Sequence, residues 1–150
     1  MCEFKKNVVV DDCLCAAINE TLNYFKAQGT YPVELNVGEV EFNLTHTANQ
    51  WLDYMEKYLP RSAAECEYIT MDFLSKEQVK KEFLNSNNCI KLLSCFCGNG
   101  GDVIGAITAL GKMYKEAHRH LPNFEITVIE GSEVAIDQFF ELFSRWVRLF

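Results

Sequence analysis

The sequence lacks long apolar runs and has few cations. No stretch approaches the ~20 consecutive apolar residues that a helix needs to span a bilayer, so we expect no membrane partner. Lys and Arg number 14 against 21 Asp and Glu, which gives a net charge of −7. Broad binding to nucleic acid needs clustered Lys and Arg. The charge balance therefore disfavours nucleic acid as a partner, although it is compatible with a local basic groove.

Metal-binding patterns are scarce as well. The chain has 7 Cys and 3 His, but its Cys-x-Cys pairs, Cys13/Cys15 and Cys95/Cys97, lack the spacing and the His partners of a zinc site. We predict that Cys95 and Cys97 are buried on one face of a strand, as small apolar side chains are. Asp11 and its acidic neighbour make the N-terminus unlike a secretory signal. We therefore expect free thiols, no metal site, and a cytoplasmic or nuclear location.

Residues 1–88 are predicted to form a mainly helical N-terminal region, because apolar residues recur there at three- and four-residue steps. Alternating apolar residues between 31 and 44 also predict a short hairpin. Pro60 is expected to end a helix or to start a short turn. The three predicted helices begin at Asp11 or Asp12 and end near Gln28, begin at Thr45 or Thr47 and end near Tyr58, and begin at Ser75, where Ser-Lys-Glu-Gln matches a capping box.

Residues 89–150 have a different organisation. An apolar run, Ile90–Cys97, stops at the glycine-rich turn 98–101, and a helical pattern follows to about His120. A second strand, Phe124–Ile129, precedes a final helix, which Ser132 caps. Strand, helix and strand in this order predict a right-handed βαβ unit with parallel strands. The fold class is therefore predicted as α/β.

The glycine-rich turn indicates a nucleotide-like ligand. Glycines let the backbone approach a ligand closely, and Glu130, at the carboxyl end of the second strand, can accept hydrogen bonds from two ribose hydroxyls. A nicotinamide dinucleotide fingerprint would need Gly or Ala at Val103. A phosphate-binding loop would need Gly-Lys-Ser/Thr after the turn, which the sequence lacks. Both alternatives are disfavoured.

Two segments, SCFCGNGGDVIGAITAL and FEITVIEGSEVAIDQF, together resemble the cofactor-binding half of class I S-adenosylmethionine-dependent methyltransferases. The first is similar to the family's glycine-rich motif, and the second to its next motif, in which an acid ends the second strand. The family often has an acid at the position of Ser94 and a glycine at that of Phe96. The resemblance implies S-adenosylmethionine as cofactor and a partial Rossmann-like methyltransferase fold with a helical N-terminal lead-in. The implied cofactor-binding residues are Cys97, Gly98, Asn99, Gly100, Asp102 and Glu130.

The expected function is S-adenosylmethionine-dependent methyl transfer to an unidentified acceptor. Only two strands of the family's seven-stranded sheet are predicted here, so we expect the chain to be the N-terminal part of a longer enzyme, or to have its strand edge covered by the hairpin or by another chain. No side chain is assigned a catalytic role, and the chain alone is expected to be a weak catalyst or inert. The alternative is a non-catalytic methyltransferase-like module that binds a protein partner, or itself, through its apolar strand edge and C-terminal helix.

Overall fold

The computed structural model describes residues 11–35, 46–85 and 89–150. Within these ranges the chain forms six helices and a two-stranded parallel sheet, which confirms the predicted α/β class. Most of the predicted hairpin lies outside the described residues. The elements in chain order are α1 (Asp12–Ala27), α2 (Ala48–Lys57), α3 (Leu59–Leu74), α4 (Glu77–Asn85), β1 (Ile90–Cys95), α5 (Gly101–Glu116), β2 (Phe124–Ile129) and α6 (Glu133–Leu149).

The first two helices begin at side chains that the sequence predicts as caps. Asp11 accepts a hydrogen bond from the Cys13 backbone N–H at 2.8 Å, which satisfies one of the free donors at the start of α1. Thr47 and Gln50 form a reciprocal capping box at the start of α2. The predicted stop after α1 is also confirmed, because Gly29 takes the left-handed conformation with φ +85°.

Two predicted boundaries in the helical region are wrong. Pro60 neither ends a helix nor starts a short turn, since it lies in the first turn of the 16-residue α3. Proline is tolerated there because its missing N–H has no partner within the helix. Ser75 does not cap α4: its hydroxyl donates to the Asp72 carbonyl at 2.6 Å, and α4 begins only at Glu77.

Helix α5 is shorter at its end than predicted. It ends at Glu116 rather than near His120. His118 takes a left-handed conformation with φ +53°, and the Arg119 N–H donates to the Tyr114 carbonyl at 2.9 Å. This six-residue closure is typical of a Schellman motif, in which glycine usually takes the place of His118.

The two strands pair in parallel along their whole length, with Ile90 opposite Phe124 and Cys95 opposite Ile129. One face of the sheet packs against the helices. The other face is exposed, and we call it the outer sheet face. It is formed by Lys91, Leu93, Cys95, Glu125, Thr127 and Ile129. The prediction that Cys95 and Cys97 share a buried face is therefore wrong: β1 ends at Cys95, which is exposed, whereas Cys97 is buried in the turn beyond it.

The helices of the N-terminal region and the βαβ unit pack into a common core. Trp51 of α2, Ile104 of α5 and Trp146 of α6 are all almost completely buried. Helices α3 and α5 approach each other closely at Gly105, where an added Cβ would overlap the Ala63 carbonyl oxygen. Gly105 therefore allows α5 to pack directly on the backbone of α3.

The last helix has a narrower buried stripe than its sequence predicts. Phe139 and Trp146 are buried, as is Leu142 between them. Phe140 and Val147, each one residue beyond a buried aromatic ring, are exposed although they are apolar. A stripe at three- and four-residue steps fits against α1 and α2, and residues beside it point outward.

Candidate functional site

The site is the turn between β1 and α5, whose backbone is held in left-handed conformations. Phe96, Gly98 and Gly100 have φ values of +62°, +52° and +84°. The Phe96 N–H donates to the Ile129 carbonyl at 2.6 Å, so sheet pairing extends one residue past β1. Glycine reaches positive φ without penalty, whereas a side chain such as that of Phe96 is strained there. The Phe96 ring is 82% exposed.

Two aromatic rings of the core, those of Trp51 and Phe139, pack against the turn. A Cβ at Gly98 would lie 3.4 Å from the Trp51 ring, and a Cβ at Gly100 would overlap the Phe139 ring. Gly100 therefore serves both the left-handed backbone and the packing of α6 beneath it. The Trp51 indole N–H donates to the Ser132 hydroxyl at 3.1 Å, which ties α2 to the turn after β2.

Glu130 joins the carboxyl ends of the two strands. One carboxylate oxygen, Oε2, accepts from the Gly98 N–H at 2.8 Å. The other, Oε1, accepts from the N–H groups of Gly131 at 2.8 Å and Ser132 at 3.1 Å. A carboxylate offers about four lone-pair positions. Three are used here by the backbone, so one remains on Oε2 for a further donor.

The Asn99 side chain is held by a hydrogen bond to Gln138, which is itself bonded to the backbone of α2. Its Nδ2 donates to the Gln138 Oε1 at 3.3 Å, and the Gln138 Nε2 donates to the Ala48 carbonyl at 2.9 Å. Asn99 is 1% exposed, yet its Oδ1 has no hydrogen-bond partner within the described residues. The turn thus contains one buried acceptor that no described residue satisfies.

Asp102 lies in the first turn of α5. Its Oδ2 accepts a short hydrogen bond from the hydroxyl of Ser94, which is buried on β1. Its Oδ1 is buried and without a partner in the part of the chain that the structure describes. A carboxylate at a helix N-terminus is stabilised by the positive end of the helix dipole. The hydrogen bond between Ser94 and Asp102 therefore links the end of β1 to the start of α5.

A cavity of about 190 Å³ opens beside this turn. It brings together the glycine turn, the first turn of α5 and two helices of the N-terminal region. Among the residues that the structure describes, none of those in its lining is Lys, Arg or His. The lining residues are Tyr54, Leu59, Ser62, Phe96, Cys97, Asn99, Gly101 and Asp102.

Two ionisable groups that line the cavity, Cys97 and Tyr54, have raised pKa values. Burial, together with the negative charges of Asp102 and Glu130, raises the pKa of the Cys97 thiol to about 11. Burial also raises the pKa of Tyr54, with smaller contributions from Tyr58 and the same two acids, while a hydrogen bond with Ser62 acts in the opposite direction. Both groups therefore remain protonated and neutral near pH 7.

Most of the predicted site residues lie close together. Gly98 contacts Glu130 directly, and Cys97, Asn99 and Asp102 line the cavity. Tyr54, Leu59 and Ser62 cannot be recognised as site residues from the sequence, because their positions depend on how α2 and α3 pack on the turn. Within residues 11–35, 46–85 and 89–150, no group of three or more His, Cys, Asp or Glu side chains could hold a metal ion.

Comparisons with protein-family models, with curated proteins and with solved structures found no significant match to this chain. No helix among the described residues is both long and apolar enough to cross a membrane. The geometry of the turn and of its cavity is therefore the observation that bears on function.

Proposed function

We propose that this chain binds S-adenosylmethionine at the turn between β1 and α5, and that it is a class I methyltransferase or the cofactor-binding part of one. The observation that supports this most is the contact between Glu130 Oε2 and the Gly98 N–H at 2.8 Å. It brings the acid after the second strand against the glycine turn after the first. In parallel α/β sheets, ligands bind in the crevice at the carboxyl ends of strands. A partial Rossmann-like fold is part of this proposal.

At Phe96 the residue type differs from the family pattern, but the backbone conformation agrees with that pattern. The family often has glycine at the position of Phe96, and here Phe96 takes φ +62°, a conformation that glycine adopts readily. The family's acid at the position of Ser94 is matched by Asp102, which Ser94 contacts. Both departures therefore retain the backbone and the charge that the family pattern supplies.

Two features define how much of the cofactor this chain would hold. Glu130 has one lone-pair position left, so it would accept a hydrogen bond from one ribose hydroxyl rather than the two that we expected. The cavity of about 190 Å³ is smaller than the ~300–1,000 Å³ of most ligand pockets. Gly98, Asn99 and Gly100 would therefore border part of the cofactor, with the remainder lying in the open crevice.

S-adenosylmethionine supplies an electrophilic methyl group when it is bound. Positioning of a nucleophile against such a group contributes several kcal/mol to catalysis. The residues of this chain would bind and orient the cofactor, and Phe96 and Tyr54 would shield the cavity from water. The methyl acceptor is a partner of unassigned class.

Isothermal titration with S-adenosylhomocysteine tests the proposal. We expect binding to the folded wild-type chain, and an affinity at least about ten-fold lower for Glu130→Gln because a charged hydrogen bond contributes roughly 1.5–3 kcal/mol. Glu125→Gln is the matched control, since Glu125 lies on the exposed outer sheet face. Thermal unfolding of each variant separates loss of binding from loss of the turn. Absence of binding at millimolar ligand in folded wild type would contradict the proposal.

The outer sheet face favours a second candidate, a non-catalytic module that binds a protein. Leu93 is 67% exposed and Ile129 52% exposed, and the exposed Phe96 directly follows β1, where its N–H donates to the Ile129 carbonyl. Apolar side chains beside a strand edge that no other described strand pairs with are typical of surfaces that associate. Light scattering after size exclusion tests self-association, and a monomer at high concentration would contradict that form of the candidate.

A further inference from the structure

Helix α6 has an apolar stripe that the core leaves largely uncovered. Its members follow one another at steps of four, three and four residues, which places them on one side of the helix. We call this stripe the α6 seam, and it consists of Ile136, Phe140, Phe143 and Val147. Phe140 is 56% exposed and Val147 is 53% exposed. Apolar side chains are therefore in contact with water along about three helical turns.

The spacing of the α6 seam is that of a helix–helix contact. Apolar residues at alternating steps of three and four form the seam of a two-helix coiled coil, in which each side chain inserts between residues of the facing helix. A surface helix normally buries one stripe against its own core. Helix α6 does this already through Phe139, Leu142 and Trp146. The seam is a second apolar stripe beside the first, and its spacing suits a second helix.

Charged side chains border the α6 seam on its solvent side. Glu133 and Asp137 lie near the start of α6 and Arg148 in its last turn, and all three are exposed. The border therefore runs from negative to positive along the helix. Arg148 lies 3.6 Å from Glu20 of α1, but both side chains are at least half exposed, and such surface pairs contribute little to stability. Arg148 can therefore turn towards another acid.

We propose that two copies of this chain associate through the α6 seam, with the two helices antiparallel about a two-fold axis. One register sets Phe140 of each copy against Phe143 of the other. In the same register Ile136 faces Val147 of the other copy, so each seam residue has an apolar partner. A two-fold axis gives both copies the same contacts and closes the assembly at two. Because the seam is short, the dimer is weak and depends on concentration.

The border charges determine the direction of the pairing. In this register Arg148 of one copy lies level with the midpoint between Glu133 and Asp137 of the other, and the two-fold axis repeats the contact. A parallel pair would instead bring the two acidic ends together and the two basic ends together, and like charges disfavour association. The exposed ion pairs select the direction, whereas burial of the apolar side chains supplies most of the attraction.

The dimer does not depend on cofactor binding. The α6 seam lies on a different surface from the outer sheet face, which β1 and β2 form. None of the four seam residues lines the cavity described above or contacts Glu130 through a described hydrogen bond. A chain that fails to bind S-adenosylhomocysteine is therefore still expected to dimerise, and a monomeric chain can still bind the cofactor.

Sedimentation equilibrium of the full chain, from micromolar to millimolar concentration, tests the proposal. We expect a monomer–dimer equilibrium, and Phe140→Glu should raise the dissociation constant at least about ten-fold, because it places an unpaired charge in the interface. Leu93→Glu on the outer sheet face is the matched control and should leave the constant unchanged. Circular dichroism checks the fold, and Val147→Glu takes the place of Phe140→Glu if that variant is unfolded. A wild-type monomer at all concentrations, or a dimer that only Leu93→Glu disrupts, would overturn the proposal.

An exchange of charges tests the direction of the helices. Asp137→Lys and Arg148→Glu are each expected to weaken self-association by about three-fold, because each brings like charges together. In an equal mixture of the two variants, the introduced lysine faces the introduced glutamate, and the native arginine of one chain faces the native acids of the other. The mixed dimer should therefore be tighter than either variant alone. A mixture that associates no more tightly than the separate variants would refute the antiparallel pairing.

Discussion

Substitution of Gly105 by alanine is expected to separate helices α3 and α5. An alanine Cβ there would overlap the Ala63 carbonyl oxygen and lie 2.8 Å from the Glu67 backbone nitrogen. These are backbone atoms, which cannot turn away as a flexible side chain can. Overpacking of this kind typically costs about 1–3 kcal/mol. Because the clash involves backbone on both sides, we expect a cost near the upper end of that range.

Helix propensity acts in the opposite direction at this position. Alanine is favoured over glycine by about 1 kcal/mol in a helix interior. The net expectation for Gly105→Ala is a loss of about 2 kcal/mol, which lowers the melting temperature by about 4–8 °C in a chain of this size. Urea denaturation followed by circular dichroism measures the loss directly.

Gly111→Ala provides the matched control on the same helix. Its Cβ would lie 2.5 Å from the Phe150 ring, which is partly exposed and can move aside. We expect Gly111→Ala to be neutral or to stabilise the chain by up to about 1 kcal/mol. A Gly105→Ala variant as stable as Gly111→Ala would refute the close packing of α3 on α5, and with it the position of Leu59 and Ser62 in the cavity wall.

Two further predictions concern the turn itself. Phe96→Gly is expected to stabilise the chain by about 0.5–1 kcal/mol, because relief of left-handed strain of about 1–2 kcal/mol exceeds the added entropy of the unfolded glycine; a lower urea midpoint for Phe96→Gly would contradict this. The raised pKa of Cys97, about 11 against 9.0, means that the folded state holds this proton more tightly than the unfolded state. Stability contributed by the neutral thiol is therefore lost as the pH rises from about 9 to about 11, and Cys97→Ala should reduce that slope; identical pH profiles for the two proteins would argue against a buried thiol.

Local signals in the sequence predict the starts of α1 and α2 and the position of the turn. Asp11 and Thr47 are recognisable as caps because their side chains bond backbone groups only a few residues away. The break after the first strand could be placed near Gly98 because glycine is the residue that reaches positive φ without strain. The contact between Gly98 and Glu130 follows once the strands are parallel, since their carboxyl ends then lie side by side.

Features that depend on packing could not be predicted in this way. Nothing in the sequence around Pro60 indicates that a long helix begins there, because proline is equally compatible with a turn. Tyr54 and Ser62 reach the cavity only because α3 crosses α5 at Gly105. Phe140 has the spacing of a core residue, and its exposure reflects the narrow surface that α1 and α2 offer to α6.

The conformation and exposure of Phe96 could not be predicted from its place in the apolar run. An apolar residue at the end of an apolar run is normally counted as part of the strand and of the core. Here the chain ends β1 at Cys95, and Phe96 adopts the left-handed conformation with its ring exposed at the cavity. Backbone strain of this kind persists where the surrounding contacts hold the residue in place, and strained residues are common at functional sites.

Binding of the cofactor product at the turn is the claim on which the proposed function depends. The most direct measurement is an NMR titration of the isotope-labelled chain with S-adenosylhomocysteine. The account predicts that the backbone amides of Gly98, Asn99, Gly100 and Gly131 shift with a common dissociation constant, while that of Lys91 on the outer sheet face does not. Unchanged turn amides in a folded sample at millimolar ligand, or shifts confined to the outer sheet face, would contradict it.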